Sequence, residues 1–125
     1  MTPLILTVAP NGAYKQATDN PAVPLTAAQL ARDAKLCLDA GAAMLHLHIR
    51  DANGRHSLDV AGYREALRCV HSAVGNALEL QVTSEAAKVY AAPAQIAMVR
   101  ALRPESPRVF RQPLSTGSSA GTLKG

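Results

Sequence analysis

Residues 43–49 read AMLHLHI, a short apolar run in which two histidines alternate with apolar residues. Its length and composition are typical of a buried strand. Comparable runs occur at Leu4–Ala9 (LILTVA) and at Leu78–Thr83 (LELQVT), and a helical pattern follows each of the three. Three consecutive strand–helix units predict an α/β fold with a parallel sheet and right-handed crossovers.

The three helices are predicted from their capping signals and their apolar spacing. The capping signals are Thr26 with Gln29 for the first helix, Asp59 or Ser57 for the second, and Pro93 for the third, Ala94–Leu102. The side chains expected to face the core recur at helical spacing. They are Leu30, Ala34, Cys37 and Leu38 in the first helix, Tyr63, Leu67, Val70 and Val74 in the second, and Ile96, Val99 and Leu102 in the third.

The composition narrows the class of protein. With 125 residues, 48% apolar and 18% charged, the chain has the size and content of one globular domain. No apolar run approaches the ~20 residues that span a bilayer, and no signal peptide is visible. Two cysteines at helical core positions suit a reducing compartment, so we expect a cytoplasmic location. The net charge of +4 comes with only 3% aromatic residues, which argues against nucleic-acid binding.

The sequence changes character after residue 105. We assign residues 1–105 to the folded unit. Residues 106–125 are rich in Ser, Pro, Gly and Arg and have neither a helical nor an alternating period. This composition predicts a disordered tail.

Two histidines and an arginine share one side of the second predicted strand. Because side chains alternate along a strand, His46, His48 and Arg50 face the same way, at the end where parallel α/β folds bind ligands. Two imidazoles at this spacing can bind one metal ion, although a pair of satisfied core histidines is the plainer alternative. Arg50 would lie at the mouth and hold a carboxylate or phosphate. Asp51 and Glu85 are candidates for a third ligand.

Hydroxyl groups end the third predicted strand. Thr83 and Ser84 could hydrogen-bond a substrate or cap the segment that follows, and the residues do not favour one reading. Asn11 and Gly12 end the first strand and are interpreted as an ordinary turn. His56 is interpreted as a loop residue without a role.

Four segments together resemble the β-keto acid cleavage enzymes, a family that includes 3-keto-5-aminohexanoate cleavage enzyme. They are TVAPNGA (7–13), NPAVPLTAAQLARDA (20–34), GAAMLHLHIRDANGRHSLD (41–59) and LQVTSEA (80–86). The resemblance runs from Leu4 to about Glu105, and HLHIRD followed by NGR is its most specific part. It implies an oligomeric, zinc-dependent (β/α)8 barrel that converts a β-keto acid and acetyl-CoA to acetoacetate and a new acyl-CoA.

The resemblance also implies roles for individual residues. His46 and His48 match zinc ligands. Thr83, with Ser84 as a second candidate, matches a hydroxyl that contacts the substrate carboxylate. Tyr14 stands where relatives that use amino-substituted keto acids carry a carboxylate, which disfavours such a substrate. The family's third zinc ligand, a glutamate, and its general-base aspartate come from later strands.

Length and ending suggest a partial barrel. A (β/α)8 barrel takes about 250 residues, so this chain matches roughly the first three units. Its aperiodic ending is typical of a reading-frame slip, and we interpret the sequence as truncated or frameshifted. A non-catalytic remnant or interaction module is the first alternative. An amidohydrolase-type metal hydrolase is the second alternative. In those hydrolases, however, the histidine pair ends the first strand, whereas in this sequence it ends the second.

Overall fold

A computed structural model describes residues 2–84, 88–102 and 109–111. Within them the chain is a mixed α/β structure, as the sequence predicts. Its elements in chain order are β1 Thr7–Val8, α1 Ala27–Asp39, β2 Met44–Leu47, β3 Ile49–Arg50, β4 His56–Ser57, α2 Val60–Val74, β5 Glu79–Val82, α3 Ala92–Leu102 and β6 Val109–Arg111. The strands β1, β2, β5 and β6 form a parallel sheet in that order, and β3 pairs with β4 as an antiparallel hairpin.

The first two helices begin where their caps predict. The Thr26 hydroxyl accepts the Gln29 backbone N–H at 3.2 Å, and the Gln29 side chain accepts the Thr26 N–H at 3.0 Å. Asp59 accepts the Gly62 N–H at 2.7 Å, which leaves Ser57 outside the capping role. No helix in the described ranges is both long and apolar enough to cross a membrane.

The third helix is rotated relative to the sequence prediction. Its buried side chains are Gln95, Met98 and Leu102, whereas Ile96 and Val99 are only partly buried. The prediction relied on apolar spacing alone, and it therefore placed Ile96 rather than Gln95 on the buried face of the helix. The Gln95 carboxamide, however, donates to the Tyr90 carbonyl at 2.9 Å, and this satisfied polar contact lets Gln95 face inward.

The parallel sheet has one closed face and one more open face. Leu45, Leu47, Leu80 and Val82 are buried with the inner faces of the helices. On the other face of the same strands His46 and Gln81 are half-buried and Glu79 is exposed. Parallel sheets are normally apolar on both faces, so the polar face is the place to look for a ligand.

Two predicted boundaries differ from the structure. The first strand comprises only Thr7–Val8, and Leu4 and Ile5 are 81% and 71% exposed. Its described neighbour in the sheet is β2, whose first residue pairs with Thr7. The Leu6 carbonyl still accepts the N–H groups of Ala43 and Met44, and Leu4 and Ile5 lie before this pairing. The predicted tail differs at Val109–Arg111, which pair with β5 as a fourth parallel strand. The other residues of 106–125 lie outside the described ranges.

The β3–β4 hairpin depends on a glycine. Gly54 has φ +74°, and a Cβ there would lie 2.3 Å from Gln16 Oε1. We therefore expect Gly54→Ala to lower the free energy of unfolding by about 1–3 kcal/mol, measured by urea denaturation. Gly12→Ala is the matched control, because Gly12 also has positive φ but open space at its Cβ position. Equal losses in the two variants would show that the contact with Gln16 is unimportant.

Candidate metal site at the strand ends

The two histidines predicted to share a face do meet. His46 Nε2 and His48 Nε2 lie 3.3 Å apart, and their ring centroids are separated by 5.1 Å. His46 is half-buried at the end of β2, and His48, just beyond the strand, is 8% exposed. Two ring nitrogens that could bind a metal ion therefore lie close together at the carboxyl end of the sheet.

Asn11 fixes the main chain of His48. Its carboxamide donates to the His48 carbonyl at 2.7 Å and accepts the His48 N–H at 3.2 Å. His48 falls between β2 and β3, where the strand ladder is interrupted, and the side chain of Asn11 supplies the two missing bonds. Asn11 is 5% exposed, so this is a buried clamp rather than the ordinary turn that the sequence suggested.

The ring of His46 has a partner on the neighbouring strand. His46 and Gln81 are registered opposite each other in the β2–β5 pair. The Nδ1 atom of His46 lies 2.7 Å from Gln81 Oε1. The contact connects residues 35 positions apart, and nothing in the spacing of the sequence indicated it.

His56 extends the histidine pair to a row of three rings. It is 6% exposed, its ring centroid lies 5.2 Å from that of His48, and Tyr90 packs on its other side at 5.9 Å. The sequence interpretation of His56 as a loop residue is wrong, because His56 pairs with Arg50 in the β3–β4 hairpin. The Asn53–Gly54 turn was the signal that could have placed it there.

Burial and neighbouring positive groups keep His48 neutral. Desolvation first, and then the charges of His56, His46 and Arg50, lower the pKa of His48 from 6.5 to about 3. A neutral imidazole is the form that coordinates a metal ion. The imidazole of His48 therefore stays neutral, and able to bind a metal ion, well below neutral pH.

Arg50 faces the same loops but is already engaged. Its guanidinium donates to the carbonyls of Asn11, Gly12, Lys15 and Gly54 at 2.6–3.2 Å. Burial lowers its pKa. All three guanidinium nitrogens donate to these carbonyls. The structure therefore shows Arg50 fastening two loops, and its role in holding a substrate carboxylate or phosphate stays a prediction.

This fastening can be tested with lysine. An ammonium is compact and cannot reach carbonyls on both loops in the fork geometry of a guanidinium. We expect Arg50→Lys to lower the free energy of unfolding by about 1–3 kcal/mol and to speed proteolytic cleavage between residues 11 and 16. The control is Arg32→Lys on the exposed surface of α1, where a change within about 0.5 kcal/mol is expected. Unchanged stability in Arg50→Lys would contradict the fastening role.

The two hydroxyl residues at the end of β5 lie in the interior. Thr83 directly follows β5 and is 0% exposed, and Ser84 is 2% exposed. The Ser84 hydroxyl lies 3.3 Å from Gln95 Oε1 of α3, and the Thr83 carbonyl accepts the Tyr63 hydroxyl at 2.7 Å. Both residues connect the end of β5 to helices, and substrate contact remains a prediction from their position.

The two candidates for a third ligand differ in outcome. The carboxylate of Asp51 stabilises the hairpin turn, where it accepts the N–H groups of Asn53 and Arg55 at 2.8 and 2.9 Å. Glu85 lies outside the described residues. Across the ranges that the structure covers, no group of three His, Cys, Asp or Glu side chains is placed to hold a metal ion.

Comparison with known proteins places this site in context. The family model described as beta-keto acid cleavage enzyme matches residues 3–110, past Glu105 and into β6. A 3-keto-5-aminohexanoate cleavage enzyme of Fusobacterium nucleatum is 37% identical over 70 residues, and one of Acetoanaerobium sticklandii is 33% identical over 78 residues. These matches cover 56% and 62% of this chain but only 26% and 29% of the two relatives.

A third relative carries a different name. The 3-oxoadipate:acetyl-CoA acetyltransferase of Cupriavidus necator is 39% identical over 49 residues, which are 39% of this chain and 17% of that protein. The likeness therefore covers less than a third of the length of each of these three proteins.

Proposed function

Because the chain belongs to the beta-keto acid cleavage enzyme family, we propose that it serves a zinc-dependent reaction between a β-keto acid and acetyl-CoA. The products would be acetoacetate and a new acyl-CoA, so the acyl group moves from the keto acid to coenzyme A while the acetyl group joins the two-carbon acid fragment. The name of the Cupriavidus necator relative supports acetyl-CoA as the second substrate.

The distance between the two histidine nitrogens carries the proposal of zinc. Two nitrogen ligands at about 2.0–2.1 Å from a tetrahedral zinc ion lie about 3.3–3.4 Å apart. His46 Nε2 and His48 Nε2 are 3.3 Å apart. The lone pairs of two unprotonated ring nitrogens repel each other at this distance. Either a proton or a cation between the nitrogens would remove that repulsion. When bound there, zinc would supply Lewis-acid stabilisation of negative charge developing on a keto oxygen.

Two other residues of the chain would help to hold His46 and His48 in position. Asn11 clamps the His48 main chain, and Arg50 fastens the loops beside it. Catalytic zinc usually takes three protein ligands, and His46 and His48 are the two candidates among the described residues. For Thr83, and for Ser84 beside it, contact with the substrate carboxylate is part of the proposal, supported by their position after β5.

The finer fold assignment is part of the same proposal. The order β1-β2-β5-β6 follows the chain without reversal, as in the wall of a (β/α)8 barrel, whereas a doubly wound sheet reverses. In a barrel the face with His46 and Gln81 would point inward. We assign residues 1–105, extended by β6, to such a partial wall.

Zinc titration of the chelator-treated chain tests the proposal. We expect one zinc ion per chain, and a loss of about 100-fold or more in affinity in His46→Ala and in His48→Ala. His71→Ala is the matched control, because His71 is exposed on α2. A folded wild-type chain that binds no zinc would contradict the proposal and favour the non-catalytic remnant. A coupled assay for acetoacetate from acetyl-CoA and a panel of β-keto acids then tests the reaction.

A further inference from the structure

Gln81 lies where it can control which nitrogen of His46 carries the proton. The two residues are registered partners on β2 and β5, and both are half-buried. The Gln81 carboxamide oxygen is 2.7 Å from His46 Nδ1, while His46 Nε2 is 3.3 Å from His48 Nε2. Each nitrogen of the His46 ring therefore has one close neighbour. The two neighbours favour different protonation states of the nitrogen that each one faces.

An amide oxygen can only accept a hydrogen bond. At 2.7 Å it requires a proton on Nδ1, and in a neutral imidazole this leaves Nε2 as a lone pair. That lone pair faces His48 Nε2. Histidines that bind metal ions usually donate their second ring N–H to a carbonyl or carboxylate in this way.

We propose that Gln81 is a positioning residue that holds His46 as the Nδ1–H tautomer and so presents Nε2 to a divalent cation. The part concerning the cation rests on the proposed function. The part concerning the tautomer does not, because it follows from the contacts of His46 in this chain alone.

The opposite arrangement is chemically distinct. If the carboxamide nitrogen of Gln81 faced Nδ1, Nδ1 would accept and the proton would lie on Nε2. His46 would then donate to His48 across the 3.3 Å between their Nε2 atoms. The Nε2 atom of His46 would then carry a proton and could not bind a cation.

Nitrogen NMR distinguishes the two arrangements without any metal. Long-range proton–nitrogen correlation on the ¹⁵N-labelled chain with chelator at about pH 8, where imidazoles are neutral, reports the protonated ring nitrogen. We expect protonated Nδ1 for His46, with the signals assigned from the spectrum of His46→Ala. Gln81→Leu should shift the population toward Nε2–H, and Gln81→Glu, which also accepts, should restore Nδ1–H. Glu79→Leu, an exposed change on the same strand face, should leave the tautomer unchanged.

Zinc affinity supplies the second readout. We expect Gln81→Leu to bind zinc about 10–100-fold more weakly, and Gln81→Glu to retain wild-type affinity. Thermal unfolding of each variant confirms that it is folded. A wild-type Nε2–H tautomer, or the same tautomer and affinity in Gln81→Leu as in wild type, would overturn the positioning role. An Nδ1–H tautomer in a wild-type chain that binds no zinc would support that role while contradicting the proposed function.

Discussion

Tyr63→Ala is expected to lower the free energy of unfolding by about 3–5 kcal/mol, the cost of emptying a buried aromatic site. Tyr63 lies on the inner face of α2 and is 0% exposed. Small domains are stable by only about 5–15 kcal/mol, so this one change would bring the chain close to global unfolding. Urea denaturation followed by circular dichroism measures the loss.

Two further variants separate the ring of Tyr63 from its hydroxyl. The hydroxyl donates to the Thr83 carbonyl at 2.7 Å, and burial raises the pKa of Tyr63. Tyr63→Phe keeps the ring and leaves that carbonyl without this donor, so we expect a loss of about 1–3 kcal/mol. Tyr14→Ala removes a tyrosine that is 68% exposed and should change little. If Tyr63→Ala unfolded no earlier than Tyr14→Ala, the packing of α2 on the sheet would be contradicted.

The elements that the sequence predicted well are those defined by neighbouring residues. The capping box of Thr26 and Gln29 and the cap at Asp59 involve groups within three positions of each other. Their chemistry is local, and it located the starts of α1 and α2. The alternation that put His46 and His48 on one face is local as well, because a strand has a period of two.

The parts of the site that the sequence missed depend on distant contacts. Asn11 reaches His48 across 37 positions, and Gln81 reaches His46 across 35. Such contacts depend on the register between strands, which one strand's pattern does not contain. Arg50 shows the same limit, since its direction was predicted but the loop carbonyls that it meets were not.

The ends of the sheet show how partners override local pattern. Leu4 and Ile5 have the apolar character of a strand but lie before the register of β1 with β2. Val109–Arg111 lie in a stretch without period, yet they pair with β5. Strand formation depends on a neighbour with free backbone groups, so composition alone misassigned both segments.

Acid is expected to destabilise the zinc-free chain through His48. Its pKa is lowered from 6.5 to about 3 in the folded chain, mainly by burial. Between these values the unfolded chain binds a proton that the folded chain does not, so the proton favours unfolding. The stabilisation is complete above pH 6.5 and is lost as the pH falls toward 3. Within this window the slope is up to about 1.4 kcal/mol per pH unit.

A difference between variants isolates the share of His48. His48→Phe keeps a ring beside His56 but cannot bind a proton, and His48→Gln is a second variant in case the first folds poorly. Urea denaturation in chelator, repeated across the acid range, gives the pH slope for each chain. We expect both variants to unfold with a shallower slope than wild type, by close to one proton, because the other titrating groups are common to all three. Identical slopes would mean that His48 takes up its proton as readily in the folded chain as in the unfolded one, which is incompatible with a buried imidazole between His46 and His56.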